Sequence, residues 1–228
     1  MRGVLVVDDE ASIRTVLRGY LEADGFEVTE AASGELALQI VRTKDIEVVL
    51  LDVMMPVMDG LETLRQIRTF RDVFVILVTA RAEEVDTLVG LGVGADDYIT
   101  KPFSPREVVA RVHTMLRRQR RVTTANQVLH FHGMEIDLDA RSVAIEGVGA
   151  TLTALEFDLL SALALAPARV FSRAQLLEQV WGFDFFGDSR VVDVHIRNLR
   201  HALGDDASNP RYVGTVRGIG YRFLGVPS

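Results

Sequence analysis

The chain has 228 residues, 48% hydrophobic and 25% charged, which is ordinary for globular proteins and longer than one typical domain. It contains no cysteine, so a disulfide framework and a thiolate metal site are excluded. The formal net charge of −7 argues against a nucleic-acid partner only until its distribution is read: residues 1–118 carry a net −6 and residues 119–228 a net −1.

No apolar run approaches the roughly 20 residues of a membrane-crossing helix. The opening MRGVLVVDDE lacks the long apolar stretch of a secretory signal. A cytoplasmic protein with no membrane partner is the expectation.

Residues 1–118 alternate between two hydrophobic periods. Apolar runs at 4–7, 48–51 and 74–78, with a shorter strand around Tyr98, have the character of buried parallel strands. Between them lie helical stripes such as Ile13, Val16, Leu17, Tyr20 and Leu21, spaced i, i+3, i+4, i+7, i+8. This alternation predicts an α/β fold, a doubly wound five-stranded parallel sheet over residues 1–118. Its last helix starts near Ser104 and ends at Arg118. Residues 119–127, polar and Thr-rich, read as a linker. From Val128 the pattern changes to short alternating segments at 128–131, 134–137 and 142–145, with turns at Gly133 and Gly147. Helical stripes follow at 155–165, 173–180 and 189–203, then a hairpin at 212–216 and 220–223 around Arg217-Gly218. That order predicts an α+β winged helix-turn-helix domain over residues 128–226.

Four chemically useful groups fall at strand ends. Asp8, Asp9 and Glu10 follow the first strand, Asp52 the run at 48–51, Thr79 the run at 74–78, and Lys101 the strand around Tyr98. In an open parallel sheet, carboxyl ends of strands converge on one crevice at the topological switch point. Clustered carboxylates repel one another unless a cation lies between them, and hard oxygen ligands suit Mg²⁺. Such a metal, with Lys101 as a second positive charge, would neutralise an incoming phosphoryl group. Asp52 stands alone at its strand end and is the candidate nucleophile for an aspartyl-phosphate, with Asp8 and Asp9 as metal binders. Taken singly, each of these residues is more often a cap or a turn residue. Their joint order carries the reading.

The segments VVDDE, LLDVMMPVMDG, LVTA and GADDYITKPF resemble the receiver domain of two-component response regulators, over essentially all of residues 1–118. The resemblance implies that a sensor histidine kinase phosphorylates Asp52. It implies that Asp9, Asp52 and the Met54 carbonyl bind Mg²⁺, with Asp8 acting mainly through water. It further implies that Thr79 and Lys101 contact the phosphoryl group, while Tyr98 changes its packing as Thr79 moves. Receivers of this kind pair through the helix before the fifth strand, that strand and the last helix, by three cross-subunit ion pairs. Asp97 with Arg111 and Asp96 with Arg118 match the pattern. Thr87 stands where a basic residue would pair with Glu107, so one pair is missing. With Gly90 and Gly92 nearby, unusual mobility is expected around residues 83–91.

Residues 189–203 separate into two faces at about 100° per residue. Val192, Ile196, Leu199 and Leu203 form a core stripe; Arg190, Val194, Arg197 and His201, with Asn198 beside them, form the opposite face. Arg can read guanine, Asn adenine, and Val a thymine methyl, so this face suits a major groove of promoter DNA. Arg217, at the hairpin tip, could reach the adjacent minor groove. This helix and hairpin, with TLTALEFDLL and TVRGIGYRF, resemble the OmpR/PhoB type of winged-helix effector over residues 128–223. Ala202 replaces a common basic position there, which predicts weaker phosphate binding.

Other signals are weaker. Gly90 to Ala95 match a loose dinucleotide fingerprint in the wrong context, and His130, His132, His195 and His201 lack metal-ligand spacing. Trp181 and the aromatics at 183–186 read as packing, or as a patch for RNA polymerase or a second protomer. The main reading is a phosphorylation-switched transcription factor, a homodimer when phosphorylated. An alternative is a metal-dependent phosphatase of the haloacid-dehalogenase kind. Such enzymes want a second Asp two residues after the nucleophile, where this chain has Met54, and a substrate-covering cap for which residues 1–118 have no room.

Overall fold

A computed structural model describes residues 2–80, 92–118, 127–182 and 189–228 of the chain. The chain divides into two compact units, Met1–Arg117 and Arg118–Ser228.

In the first unit β1 (Gly3–Val7) leads to α1 (Ala11–Ala23), β2 (Glu27–Ala31), α2 (Gly34–Thr43), β3 (Val48–Asp52) and α3 (Gly60–Arg68). Then come β4 (Phe74–Ala80), β5 (Asp97–Lys101) and α4 (Pro105–Arg118). The five strands form one parallel sheet in the order β2-β1-β3-β4-β5. Both faces of such a sheet are covered by helices, so its central strands carry apolar residues continuously. β1 and β3 do so, and every residue in them is buried. β2 reads EVTEA and lies at the edge, where only one flank needs apolar cover; its weak pattern hid it from the sequence reading. β4 extends two residues beyond the expected end, so Thr79 lies within the strand rather than after it.

The second unit opens with four antiparallel strands, β6 (Val128–Phe131), β7 (Met134–Asp137), β8 (Ser142–Ile145) and β9 (Val148–Ala150), paired in sequence order. There follow α5 (Ala154–Ala164), β10 (Val170–Ser172), α6 (Arg173–Leu176) continued by a π turn (Leu177–Trp181), and α7 (Arg190–Leu203). β11 (Val213–Val216) and β12 (Gly220–Phe223) close a three-stranded sheet ordered β10-β12-β11. α5 starts at a reciprocal capping box: Thr153 accepts the Glu156 N–H while the Glu156 carboxylate accepts the Thr153 N–H. The core gathers Leu155, Leu159, Leu160 and Leu163 of α5 with Trp181, Val192, Ile196, Leu199 and Phe223.

β9 and β10, three residues each, are too short to show a period and were not anticipated. The helix expected at 173–180 is instead one α turn followed by a π turn, which ends at Gly182 with φ of 92°. The linker stretch 119–126, the segment 83–91 with Thr87 and Gly90, and the aromatics at 183–186 lie outside the described residues.

Of the four described non-glycine residues with positive φ, one is β-branched and conflicts most with its backbone. Val57, in the loop between β3 and α3, has φ of 69° and a fully exposed side chain. A β-branched residue pays a steric penalty in this left-handed region that no packing offsets here. Val57→Gly is therefore expected to raise the stability of the first unit by about 0.5–1 kcal/mol, net of the added freedom of the unfolded chain. Denaturant unfolding of the full chain followed by circular dichroism measures it, and a lower midpoint would contradict the strain.

Candidate functional sites

In the β2-β1-β3-β4-β5 order the chain reverses direction across the sheet between β1 and β3. The crevice at that point receives Asp8 and Asp9 from the end of β1 and Asp52 from the last position of β3. Asp8 and Asp52 are buried and Asp9 is exposed; carboxylate oxygens of all three lie within 4.8 Å of one another. Lys101, the last residue of β5, donates through Nζ to Asp8 Oδ2 and to Asp52 Oδ2, each at 3.0 Å. Groups 93 and 49 residues apart along the chain thus meet through the sheet register.

Local structure holds each group in place. The Glu10 N–H donates to Asp8 Oδ1 at 2.9 Å and the Met54 N–H to Asp52 Oδ1 at 3.3 Å. Gly60 begins α3 because a Cβ there would collide with the Asp52 carbonyl, and Asp59 caps the helix by accepting the Glu62 N–H at 2.7 Å. Arg14, which sequence reasoning missed, donates to the carbonyls of Asp8 at 2.6 Å and Asp9 at 3.0 Å, fixing the loop that presents both acids. Its place one turn into α1 was the available signal.

Burial and the closeness of like charges govern the electrostatics of the site. Burial pushes the Asp52 carboxyl above its ordinary value; Lys101 pulls it down and Asp8 pushes it up again. Burial disfavours the Lys101 ammonium, but Asp52 and Asp8 outweigh that and hold its pKa above the usual lysine value. Three clustered carboxylates facing one ammonium fit a small divalent cation, since hard oxygen donors at this spacing suit Mg²⁺. Among the described residues this is the only group of acids and imidazoles gathered closely enough to hold a metal ion.

Thr79 is buried on β4, opposite Thr100, and donates to the Ala80 carbonyl at 3.1 Å. Tyr98 is half-buried on β5, opposite Leu77. Met54 is 71% exposed and meets Asp52 through its N–H, whereas its expected metal contact is through the carbonyl.

The expected pairing residues are engaged within the chain. Arg111 on α4 donates to Asp97 at 2.8 Å and to Glu107 at 2.9 and 3.2 Å. Asp96, expected to pair with Arg118 across subunits, is likewise engaged within the chain. Asp96 is buried, and its Oδ2 accepts from Arg68 and from the Val75 N–H, both at 2.7 Å. Arg68 also binds the Gly94 carbonyl at 2.8 and 3.0 Å and the Val73 carbonyl at 2.6 Å. Asp96 therefore acts first as an internal lock between α3 and the strands β4 and β5. Thr87 and the side chain of Arg118 lie outside the described residues.

On α7 the expected faces appear. Arg190, Arg197 and His201 are exposed, with Val194 and Asn198 half-buried beside them, while Val192, Ile196, Leu199 and Leu203 are buried opposite. Arg217 is exposed at the tip between β11 and β12, next to Gly218 at φ of 76°. Asp205, also missed, accepts the N–H groups of Arg211, Tyr212 and Val213 at 2.5, 3.2 and 2.8 Å, ordering the run from α7 into β11. A helix with one basic face, followed by a basic hairpin tip, has the anatomy of a groove reader.

A doubly wound domain with an acid-lysine crevice, joined to a winged helix, defines a phosphoryl-controlled DNA-binding regulator. Comparison with known proteins agrees. Residues 4–113 match the response regulator receiver domain, and residues 147–223 match the C-terminal domain of transcriptional regulatory proteins. The chain is 42% identical over 227 residues to the transcriptional regulatory protein SrrA of Staphylococcus aureus, covering 96% of this chain and 94% of that protein. Among solved structures, a mutant of RitR superposes with a TM-score of 0.79 at 26% identity, over 98% of this chain and 99% of that one. The response regulator DrrB of Thermotoga maritima, described as an OmpR/PhoB homologue, gives 0.53 at 35% identity, over 99% and 100%. The chain belongs to the two-component response regulators of the OmpR/PhoB type. The phosphatase alternative gains no support from these relatives.

Removing Arg68 tests the Asp96 lock. Arg68→Met takes away the guanidinium that pairs with a buried carboxylate and is expected to destabilise the first unit by about 3 kcal/mol. Thermal unfolding of the full chain reads this directly; a change within 0.5 kcal/mol, about the size of a neutral surface substitution, would refute it.

Proposed function

We infer that Asp52 is the phosphoacceptor of this regulator and that its phosphorylation promotes DNA binding by α7 and the wing. The observation that carries the reading is the position of Lys101 Nζ, 3.0 Å from both Asp8 and Asp52 in a strand-end crevice. An Asp52 oxygen attacks phosphorus on a phosphohistidine of a sensor kinase; the P–N bond breaks and the imidazole leaves with a proton. Lys101 and Thr79 then hold the phosphoryl oxygens, and Tyr98 adjusts its packing. Asp8, Asp9, Asp52 and the Met54 carbonyl would hold Mg²⁺, which when bound supplies positive charge to the phosphoryl oxygens. The only chemistry assigned to the protein itself is this transfer and the later hydrolysis of its own acyl phosphate. The cytoplasm, where a kinase and promoter DNA are both accessible, is the setting proposed.

Phosphorylation adds about −1.5 to −2 charge to the crevice. This biases a receiver surface toward pairing of two copies through the Asp97, Glu107 and Arg111 face. Use of Asp96 with Arg118 there requires exchange with Arg68. In the effector, Arg190, Val194, Arg197, Asn198 and His201 face the major groove and Arg217 the minor groove. RNA polymerase is the remaining proposed partner, at the stretch 183–186.

Two experiments test this. Asp52→Asn is expected to abolish labelling by a radioactive acyl phosphate without loss of fold, and EDTA to slow labelling of the native chain by more than about tenfold. Retained labelling of the variant would name another acceptor, and multiple turnover on small phosphate esters would favour an enzyme. Arg197→Ala is expected to lower affinity for a selected duplex by about tenfold, leaving random duplex largely unaffected, if it reads a base. An equal loss on both duplexes would assign it to the backbone.

A further inference from the structure

Between the core stripe of α7 and its outward basic face runs a third, narrower strip holding Asp193 and Arg200, two turns apart. Neither faces DNA in the reading above, yet both make strong polar contacts. Asp193 Oδ1 accepts from the Tyr221 hydroxyl of β12 at 2.6 Å and from Arg173 Nε of α6 at 2.7 Å. Arg200 is buried and donates through Nε and one terminal nitrogen to the Val213 carbonyl of β11, at 3.0 and 2.6 Å. The same nitrogen donates to Thr215 Oγ1 at 2.8 Å. The Tyr221 ring lies near both cations, with Arg173 5.5 Å and Arg200 5.8 Å from its centroid.

The recognition helix is thus fastened twice to the wing, once to each strand of its hairpin. Charge-assisted bonds of this length are stronger than neutral ones and fix direction as well as distance. The Tyr221 hydroxyl is a dependable donor: burial, reinforced by Asp193, pushes its pKa up to about 12, so it keeps its proton. β11 is the edge of the three-stranded β10-β12-β11 sheet, so the hairpin has strand support on its β12 side only, and the Arg200 bonds to Val213 and Thr215 hold the other strand.

We propose that Asp193, Tyr221 and Arg200 are positioning residues that set the offset between the groove-reading face of α7 and the wing tip Arg217, so that major-groove and minor-groove contacts are read as one unit. The proposal rests on the DNA reading given above and goes beyond it by assigning specificity to groups that touch no DNA. Its consequence is energetic coupling. With the clamp intact, Arg217 reaches a defined flanking step and rewards the right sequence there. With the clamp loosened, the wing wanders, and Arg217 contributes little more than a nearby charge.

A double-mutant cycle on the full chain decides it. The probe is a duplex selected by the native chain from a randomised pool, with its wing-side flank kept or scrambled. In the native background Arg217→Ala is expected to weaken binding about tenfold. In the Tyr221→Phe background, which removes one hydroxyl, the same change is expected to cost about threefold or less, and flank discrimination to fall in parallel. Thr215→Val, at the other fastening, provides a second background should Tyr221→Phe lower the melting temperature severely. An equal cost of Arg217→Ala in the native chain and in the folded clamp variants would overturn the coupling while leaving the DNA reading intact. No cost in the native chain would overturn both.

Discussion

Mutual repulsion among Asp8, Asp9 and Asp52 is the constraint from which the first unit is best understood. Carboxylates at this spacing, two of them buried, are tolerable only beside positive charge. Lys101 supplies an ammonium from the end of β5, beyond β4 from Asp52, and is fixed there by two 3.0 Å bonds. Among the described residues, Lys101 is bonded to two of the three carboxylates, and the Arg14 guanidinium sits at the Asp8 and Asp9 carbonyls. A divalent ion would offset the remaining repulsion, and with it in place the crevice would tolerate the further negative oxygens of a phosphoryl group. The surrounding details serve it: Arg14 holds the first acids by their carbonyls, and Gly60 lets α3 begin against the Asp52 backbone.

The second unit solves a different problem with related means. A helix that reads DNA must keep its polar face exposed, so its orientation has to come from its other sides. Packing of Val192, Ile196, Leu199 and Leu203 fixes its depth, and the polar strip of Asp193 and Arg200 ties its flank to the hairpin. Asp205 then orders the chain between helix and wing by taking three backbone N–H groups. Here buried charge is spent on orientation rather than on chemistry.

Much of this was legible before any coordinates. β1, β3 and β4 are apolar on both faces and announced themselves as buried strands, and the acids after β1 and β3, with the lysine closing β5, gave the crevice. Where the reading failed, the physical cause is local. β2 lies at an edge with mixed polarity, and β9 and β10 are too short to display a period. The α6 turn widens into a π turn that leaves its apolar spacing unchanged. Side-chain partnerships were the hardest to foresee. The bond from Arg68 to Asp96, 28 residues later, left no signal in the spacing of either residue. Arg14, Asp193 and Arg200 act through backbone carbonyls or a phenol, and such pairings leave no spacing rule in a sequence.

The crevice is assembled from segments spread over residues 8–101 and exists only where four strands lie side by side. No single segment carries a working acceptor, because an isolated Asp52 has neither the lysine nor the companion acids. On the proposed role of Asp52, a copy whose sheet has not closed would offer a kinase no acceptor. On that reading, signal reception would double as an inspection of the receiver, since only a closed sheet brings the lysine to the acids.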